Sequence, residues 1–220
     1  MLNMGTSVIT VRVGCEPNHT DFTVHENLIR ASSEFFQAAL GRPWRESQER
    51  IVRLPECDAT VYKIYINWLY TGLLYAVPAG PSSSIGVSSS LVRGYLLGDY
   101  LQDADFRDNI IDALVEWNKD AETAQRTSFL SSWIGAADDQ TCTGGPLQKL
   151  LVDMTVWDTS HAWWTSVIPK MPVSFVQDVC VGFSARCRIA SIANPLRQQY
   201  KRCTYHSHGD KACYITEQTR

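Results

Sequence analysis

No run of apolar residues in this chain is long enough to cross a bilayer; the longest are short and broken by charge. The amino-terminal stretch "MLNMGTSVITVRVG" lacks the basic flank and apolar core of a secretory signal. Charge of one sign is also missing. Lys and Arg number 20 against 23 Asp and Glu, a net of −3, which is too mild to imply a nucleic-acid, acidic-substrate or membrane-surface partner. The seven cysteines contain no C-x-x-C pair, are odd in number and are scattered, so no disulfide framework is expected and most should be free thiols. These features together predict a cytoplasmic or nuclear address. Asn18-His19-Thr20 fits a glycosylation sequon but is set aside on that ground.

Catalytic signatures are lacking as well. His25-Glu26 opens like a zinc-protease motif, but Ile29 stands where the second histidine must be, so one helix face cannot present two ligands. "GFSAR", residues 182–186, begins like a nucleophile elbow but carries Arg186 in place of the second glycine. There is no glycine-rich phosphate loop. An enzyme remains only as a reading in which His161 or His25 meets a cysteine and a carboxylate in space. The simpler reading of His25-Glu26 is a structural corner. The imidazole would bond to a backbone carbonyl, and Glu26 would sit in the first helical turn, where the helix dipole favours an anion.

What is present is a globular composition, 45% hydrophobic and 20% charged, over 220 residues: one domain, or one with an appended lobe. "SVITVRV" alternates as a strand, "EPNHT" is a turn, and "DFTVH" is the returning strand of a hairpin. From Leu28 the period becomes helical, through Ser32, Phe35, Phe36, Ala39 and Leu40, and ends at Gly41 and Pro43. "ERIVRL" is a short strand. Asp58 is placed to cap a helix whose buried face is Val61, Ile64, Tyr65, Trp68 and Leu69, and which Gly72 stops. Residues 76–90, rich in Pro, Gly and Ser, read as a mobile inserted loop. A helical half follows. Its faces are marked by Phe106, Ile110, Leu114 and Trp117, then by Leu147, Leu150, Leu151, Met154 and Trp157, with a proline-started helix beyond "PKMP".

Several of these spaced elements, taken in order, resemble the BTB/POZ domain. "DFTVHENLIRASSEFFQAAL" places Phe22, Val24, His25, Leu28, Ser33 and Phe36 on that family's Phe-x-x-His, Leu, Ser and Phe pattern, and Tyr70-Thr71-Gly72 matches its Tyr-Thr-Gly. The wording "GRPWRESQERIVRLPE" and "NWLYTG" is similar to the large fungal set of such proteins. The resemblance implies an α+β fold: a small sheet capped by a helical cluster over residues 1–115, with the flexible insertion 76–90. A C-terminal all-helical lobe over 116–200 and a Cys/His-containing tail over 201–220 would follow. It also implies a non-enzymatic protein–protein interaction module, and one in which the family histidine is structural.

Two versions of that function follow from the resemblance. In one the chain is a substrate adaptor for a cullin-type ubiquitin ligase. Trp44 and Glu46 would supply the hydrophobic-x-Glu contact, and the helical lobe would read an unknown substrate. In the other it is a self-associating scaffold or regulator with no cullin contact, and Trp44 caps its own domain. Many family dimers exchange an N-terminal helix and strand. Only Met1–Thr6 precede the first strand here, so the usual form of homodimer is not expected.

The tail holds Cys203, His206, His208 and Cys213, two thiols and two imidazoles of the kind zinc prefers. On an extended segment His206 and His208 point the same way, and Gly209-Asp210 could turn the chain to bring Cys213 back. Similar tails recur in the fungal set that this chain resembles. The alternatives are a packed tail with two neighbouring thiols, or a disulfide. Before it, Arg186, Arg188, Arg197, Lys201 and Arg202 form a basic run free of acids. It reads as a solvated face rather than a nucleic-acid site, since no aromatic interleaving accompanies it.

Overall fold

The β-branched run at the amino end forms β1, Val8–Val13, and its alternation is real: Ile9, Val11 and Val13 are buried. β2, Thr20–His25, returns antiparallel to it, with Val8 opposite His25 and Val13 opposite Thr20. β3, Ile51–Leu54, lies parallel on the other side, so the sheet order is β2-β1-β3. Antiparallel β2 has already returned the chain to the end of the sheet where β1 begins, and the connection from β2 to β3 carries α1, Glu26–Ser32, and α2, Glu34–Gly41. The computed structural model describes residues 5–41, 49–75, 84–140, 144–188, 194–197, 202–209 and 212–215. Trp44 and Glu46 lie outside them.

The single helix expected from Leu28 to Leu40 is two. Ser33 is extended, with φ −114° and ψ 121°. Its N–H donates to Ile29 O, its hydroxyl donates to Leu101 O at 2.5 Å, and it accepts from Phe36 N–H at 3.2 Å. One buried serine therefore ends α1 and caps α2. The apolar period runs through the break because Leu28, Ile29, Phe36 and Leu40 are all buried.

α3, Ala59–Thr71, is bounded as its sequence predicts. The Asp58 carboxylate accepts from Thr60 N–H at 2.7 Å, and Gly72, at φ 70°, returns its N–H to Trp68 O at 2.7 Å. Tyr62 and Tyr65 are fully buried. Tyr62 stands edge-on to Phe22 at 5.0 Å, and Tyr65 and Trp68 each lie 5.0 Å from Phe106.

The expected loop over 76–90 is corrected in part. α4 runs from Ser84 to Tyr100, so its first turns are the serine-rich stretch; 76–83 lie outside the described residues. Serine is a poor helix former by itself, and these serines are held in the helix by burial and by partners. Ser90 Oγ donates to Gly86 O at 2.8 Å, Ser88 is fully buried, and Ser89 Oγ accepts from Trp133 Nε1 at 3.3 Å. α5, Ala104–Asp120, follows after a tight turn, with Phe106, Ile110 and Leu114 buried.

The described chain is thus mixed α+β, mostly helical with a small three-stranded sheet. It divides into two compact units, 1–77 with 93–107, and 78–92 with 108–220, the cuts falling within α4 and α5. The second unit continues with α6, Thr123–Gln140, α7, Pro146–Asp158, α8, His161–Val167, and α9, Val173–Arg188. Leu147, Leu150, Leu151 and Met154 of α7 are buried as predicted.

Gly182, the first residue of "GFSAR", sits where a Cβ would come within 2.9 Å of Val156 Cγ2. Its role is to let α9 close on α7 rather than to shape a nucleophile elbow. Arg186 is not simply solvated. Its guanidinium lies 4.7 Å from the Trp157 ring centroid and donates to Val156 O at 2.5 Å, while Arg197 reaches Asp158 at 3.9 Å. Two members of the basic run therefore serve the carboxyl end of α7, whose dipole favours a cation. No helix among the described residues is long and apolar enough to cross a membrane.

Candidate metal centre

The described residues of the tail, 202–209 and 212–215, hold little regular structure and are tied to α5 and α7 by hydrogen bonds. A single 3-10 turn, Arg202–Tyr205, presents Cys203, and His206 N–H donates to Cys203 O at 3.4 Å. Ser207 is fixed to α5, where both its N–H (2.7 Å) and its hydroxyl (2.9 Å) donate to Asp108 Oδ1. The His206 and His208 rings on either side of it are neighbours, their centroids 5.4 Å apart. Gly209 has φ 58°, the left-handed conformation expected of the turn that brings Cys213 back.

The four predicted ligands come together. One donor atom from each of Cys203, His206, His208 and Cys213 lies within 4.8 Å of all the others. Zinc–sulfur and zinc–nitrogen bonds of about 2.3 and 2.05 Å place tetrahedral S and N atoms about 3.6 Å apart, and Cys213 Sγ is 3.6 Å from His206 Nδ1. The remaining pairs, within 4.8 Å, would draw in by up to about 1.2 Å to reach that spacing.

The hydrogen bonds fix which nitrogens are bare. His206 Nε2 is 3.0 Å from Asp112 Oδ1. A carboxylate only accepts, so Nε2 carries the proton and Nδ1 offers its lone pair. His208 Nδ1 is 3.0 Å from Gly209 O, so it must donate, which leaves Nε2 bare. That atom is buried and has no hydrogen-bond partner. An orphaned buried imidazole nitrogen costs about 1–3 kcal/mol, a cost that a bound metal ion would remove.

The electrostatics also suit a cation. The His206 side chain is fully buried, Asp108 is 1% exposed, and Asp108 Oδ2 lies 3.9 Å from His206 Nδ1 with no hydrogen-bond partner of its own. Burial opposes a charged His206, but the hydrogen bond and charge of Asp112, with the charge of Asp108, outweigh it and raise its pKa. Desolvation first, then the neighbouring Cys213, raise the Cys203 thiol. A divalent ion would supply the positive charge that this cluster of acids and thiols lacks.

No family model matches the chain, and no curated protein matches it.

The other predicted positions behave differently. His25 is the N-cap residue of α1, and its partner is not a backbone carbonyl but Tyr70. The phenol oxygen accepts from His25 N–H at 3.0 Å and lies 2.8 Å from Nδ1. Glu26 opens α1 as expected, and it also pairs with Arg50 at 2.8 Å and Arg30 at 3.2 Å. His161 is exposed at the start of α8. Tyr70→Phe should destabilise the first unit by about 1 kcal/mol, the net worth of such a bond, read as a lower denaturant midpoint with an unchanged slope.

Sequence reading did not foresee the acids of α5 and α7 that dock the tail. Asp108 and Asp112 share one helix face at i, i+4, a spacing visible in "DNIID" once the tail is known to lie against it. Nor did it foresee a cleft of about 420 Å³ in the first unit, lined mainly by apolar atoms of Pro55, Cys57, Val61, Leu96, Leu97 and Tyr100, with Arg93 and Asp58 at its edge.

Proposed function

We propose that this chain is a non-enzymatic protein–protein interaction module of the BTB/POZ type, with a structural zinc closing its C-terminal tail. The observation that carries the first part is the bond between His25 and Tyr70. Phe-x-x-His and Tyr-Thr-Gly, the two most recognisable pieces of the resemblance, stand far apart in sequence. One phenol joins them at the corner where β2 becomes α1. The β2-β1-β3 sheet, with its parallel β1–β3 pair reached through α1 and α2, supports the same reading. A histidine so engaged has a structural job, which agrees with a module that binds rather than catalyses.

The sharper version is adaptor work for a cullin-type ubiquitin ligase through Trp44 and Glu46. Buried aromatic anchors carry a disproportionate share of interface energy. A purified cullin N-terminal domain should bind the chain at low-micromolar Kd or tighter, about 8 kcal/mol or more, and Trp44→Ala and Glu46→Ala should each weaken it at least tenfold. Absence of binding by a folded wild-type chain would rule this version out. The self-associating scaffold would then be the better reading. It is favoured by Leu73 and Tyr75, 57% and 52% exposed just beyond α3, and light scattering reads it directly.

The zinc reading rests on the gathering of one donor atom from each of Cys203, His206, His208 and Cys213 within 4.8 Å, with His208 Nε2 buried and without a hydrogen-bond partner. Metal analysis of wild type beside Cys203→Ala and His206→Ala tests it: one ion per chain against none.

A further inference from the structure

We infer that Asp112 positions His206 for the metal, and that the ion, by closing the tail, fastens α5 to α7. The inference rests on the zinc reading above and adds to it a positioning residue and a consequence for the lobe.

A histidine ligand presents a defined lone pair only when its other nitrogen is held, and a carboxylate behind the ring both fixes the tautomer and raises the basicity of the ligating nitrogen. Asp112 occupies that position, with Oδ1 accepting from His206 Nε2 at 3.0 Å. It is fixed in turn, because Oδ2 accepts from the Tyr214 hydroxyl at 2.5 Å, and Tyr214 directly follows the ligand Cys213. The carboxylate thus orients one ligand from behind and anchors the residue beside another.

The same short tail reaches a second helix. Tyr205, between the ligands Cys203 and His206, donates its hydroxyl to Asp153 Oδ2 of α7 at 2.7 Å, and Lys149 of α7 donates to Thr204 O at 3.0 Å. Tail residues at or beside the ligands therefore hold α5 through Asp108 and Asp112, and α7 through Lys149 and Asp153. With an ion bound, the tail becomes a closed loop gripping both helices. Without it, each grip hangs on a segment with one irregular turn of its own.

The test uses the full chain, titrated with zinc against a chromophoric chelator. Asp112→Ala should weaken zinc binding between about tenfold and a hundredfold, the usual effect of removing such a partner. Asp112→Asn keeps an acceptor and should fall less. Asp153→Asn loosens the tail from α7 without touching His206 and should leave affinity within about threefold of wild type. Histidine side-chain NMR of the zinc-bound chain should show His206 bound through Nδ1 and His208 through Nε2. Hydrogen exchange should slow on zinc addition in both α5 and α7.

Wild-type affinity in a folded Asp112→Ala would overturn the positioning role. So would an equal loss in Asp153→Asn, since Asp112 would then act only by docking the tail. Protection gained in the tail alone would overturn the fastening. A wild-type chain that takes up no zinc overturns the zinc reading itself, and this inference with it.

Discussion

Replacing Cys213 with serine should take bound zinc from one ion per chain to none and open the tail to protease. Serine offers a hydroxyl that stays protonated where the metal needs a thiolate. The loss should be large for so small a change. Zinc binding is worth on the order of 10 kcal/mol in small zinc-closed units, against about 1 kcal/mol for one net hydrogen bond. Even a fraction of it exceeds what Tyr205, Ser207 and Tyr214 supply through Asp153, Asp108 and Asp112. Brief trypsin treatment should cut the variant at the Arg197, Lys201 and Arg202 bonds while the zinc-bound wild type resists. A chelator should reproduce the pattern in wild type, and zinc should reverse it there but not in the variant. On heating, the variant should melt below the zinc-bound wild type.

Asp103 should give the second large effect. It is fully buried in the turn before α5, where Oδ1 accepts from Phe106 N–H at 3.0 Å and Oδ2 accepts from the Tyr65 hydroxyl at 3.0 Å and from Ser32 Oγ. It caps a helix and gathers two other elements at once. Asp103→Ala removes the cap, worth about 1 kcal/mol, and leaves the buried Tyr65 hydroxyl unpaired at about 1–3 kcal/mol, while the half-buried Ser32 hydroxyl can turn to water. A loss of about 2–4 kcal/mol is expected, a large part of the stability of a marginal unit.

The same residue sets a pH dependence. Burial raises its pKa from 3.8 to about 6, against the three hydrogen bonds, with Asp105 adding to the rise. The folded protein then holds the proton more tightly than the unfolded chain does. This contribution to stability is complete below pH about 4, declines as pH rises through about 6, and is gone above it. A rise of that size amounts to about 3 kcal/mol. Chemical denaturation from pH 4 to 7 should show the decline in wild type and a flatter profile in Asp103→Asn, which keeps an acceptor for Phe106 N–H and has no charge to lose.

Local chemistry made much of the fold legible. The alternation in "SVITVRV", the Asp58 cap and the Gly72 stop are each set by residues within a few positions, so β1 and α3 could be read from the sequence. Where the deciding partner is distant, the reading failed. Ser33 breaks a helix because its hydroxyl meets Leu101 O, and no local pattern announces that bond. The serines of α4 read as a loop because their value lies in close packing beside Trp133, which propensity does not count. The tail shows both sides. Its ligands were legible because metal chemistry restricts the residue types, and Gly209 because a turn needs a positive φ. Asp112 was not, being one ordinary acid on a helix until His206 lies behind it.

Native mass spectrometry of the purified chain tests the zinc-closed tail most directly, because its three readings differ in mass. The account predicts a chain carrying one zinc ion in place of two thiol protons, lost on acidification and absent from Cys213→Ser. A metal-free chain at the mass of seven free thiols would contradict it. So would a chain lighter by two hydrogens, the mark of a Cys203–Cys213 disulfide.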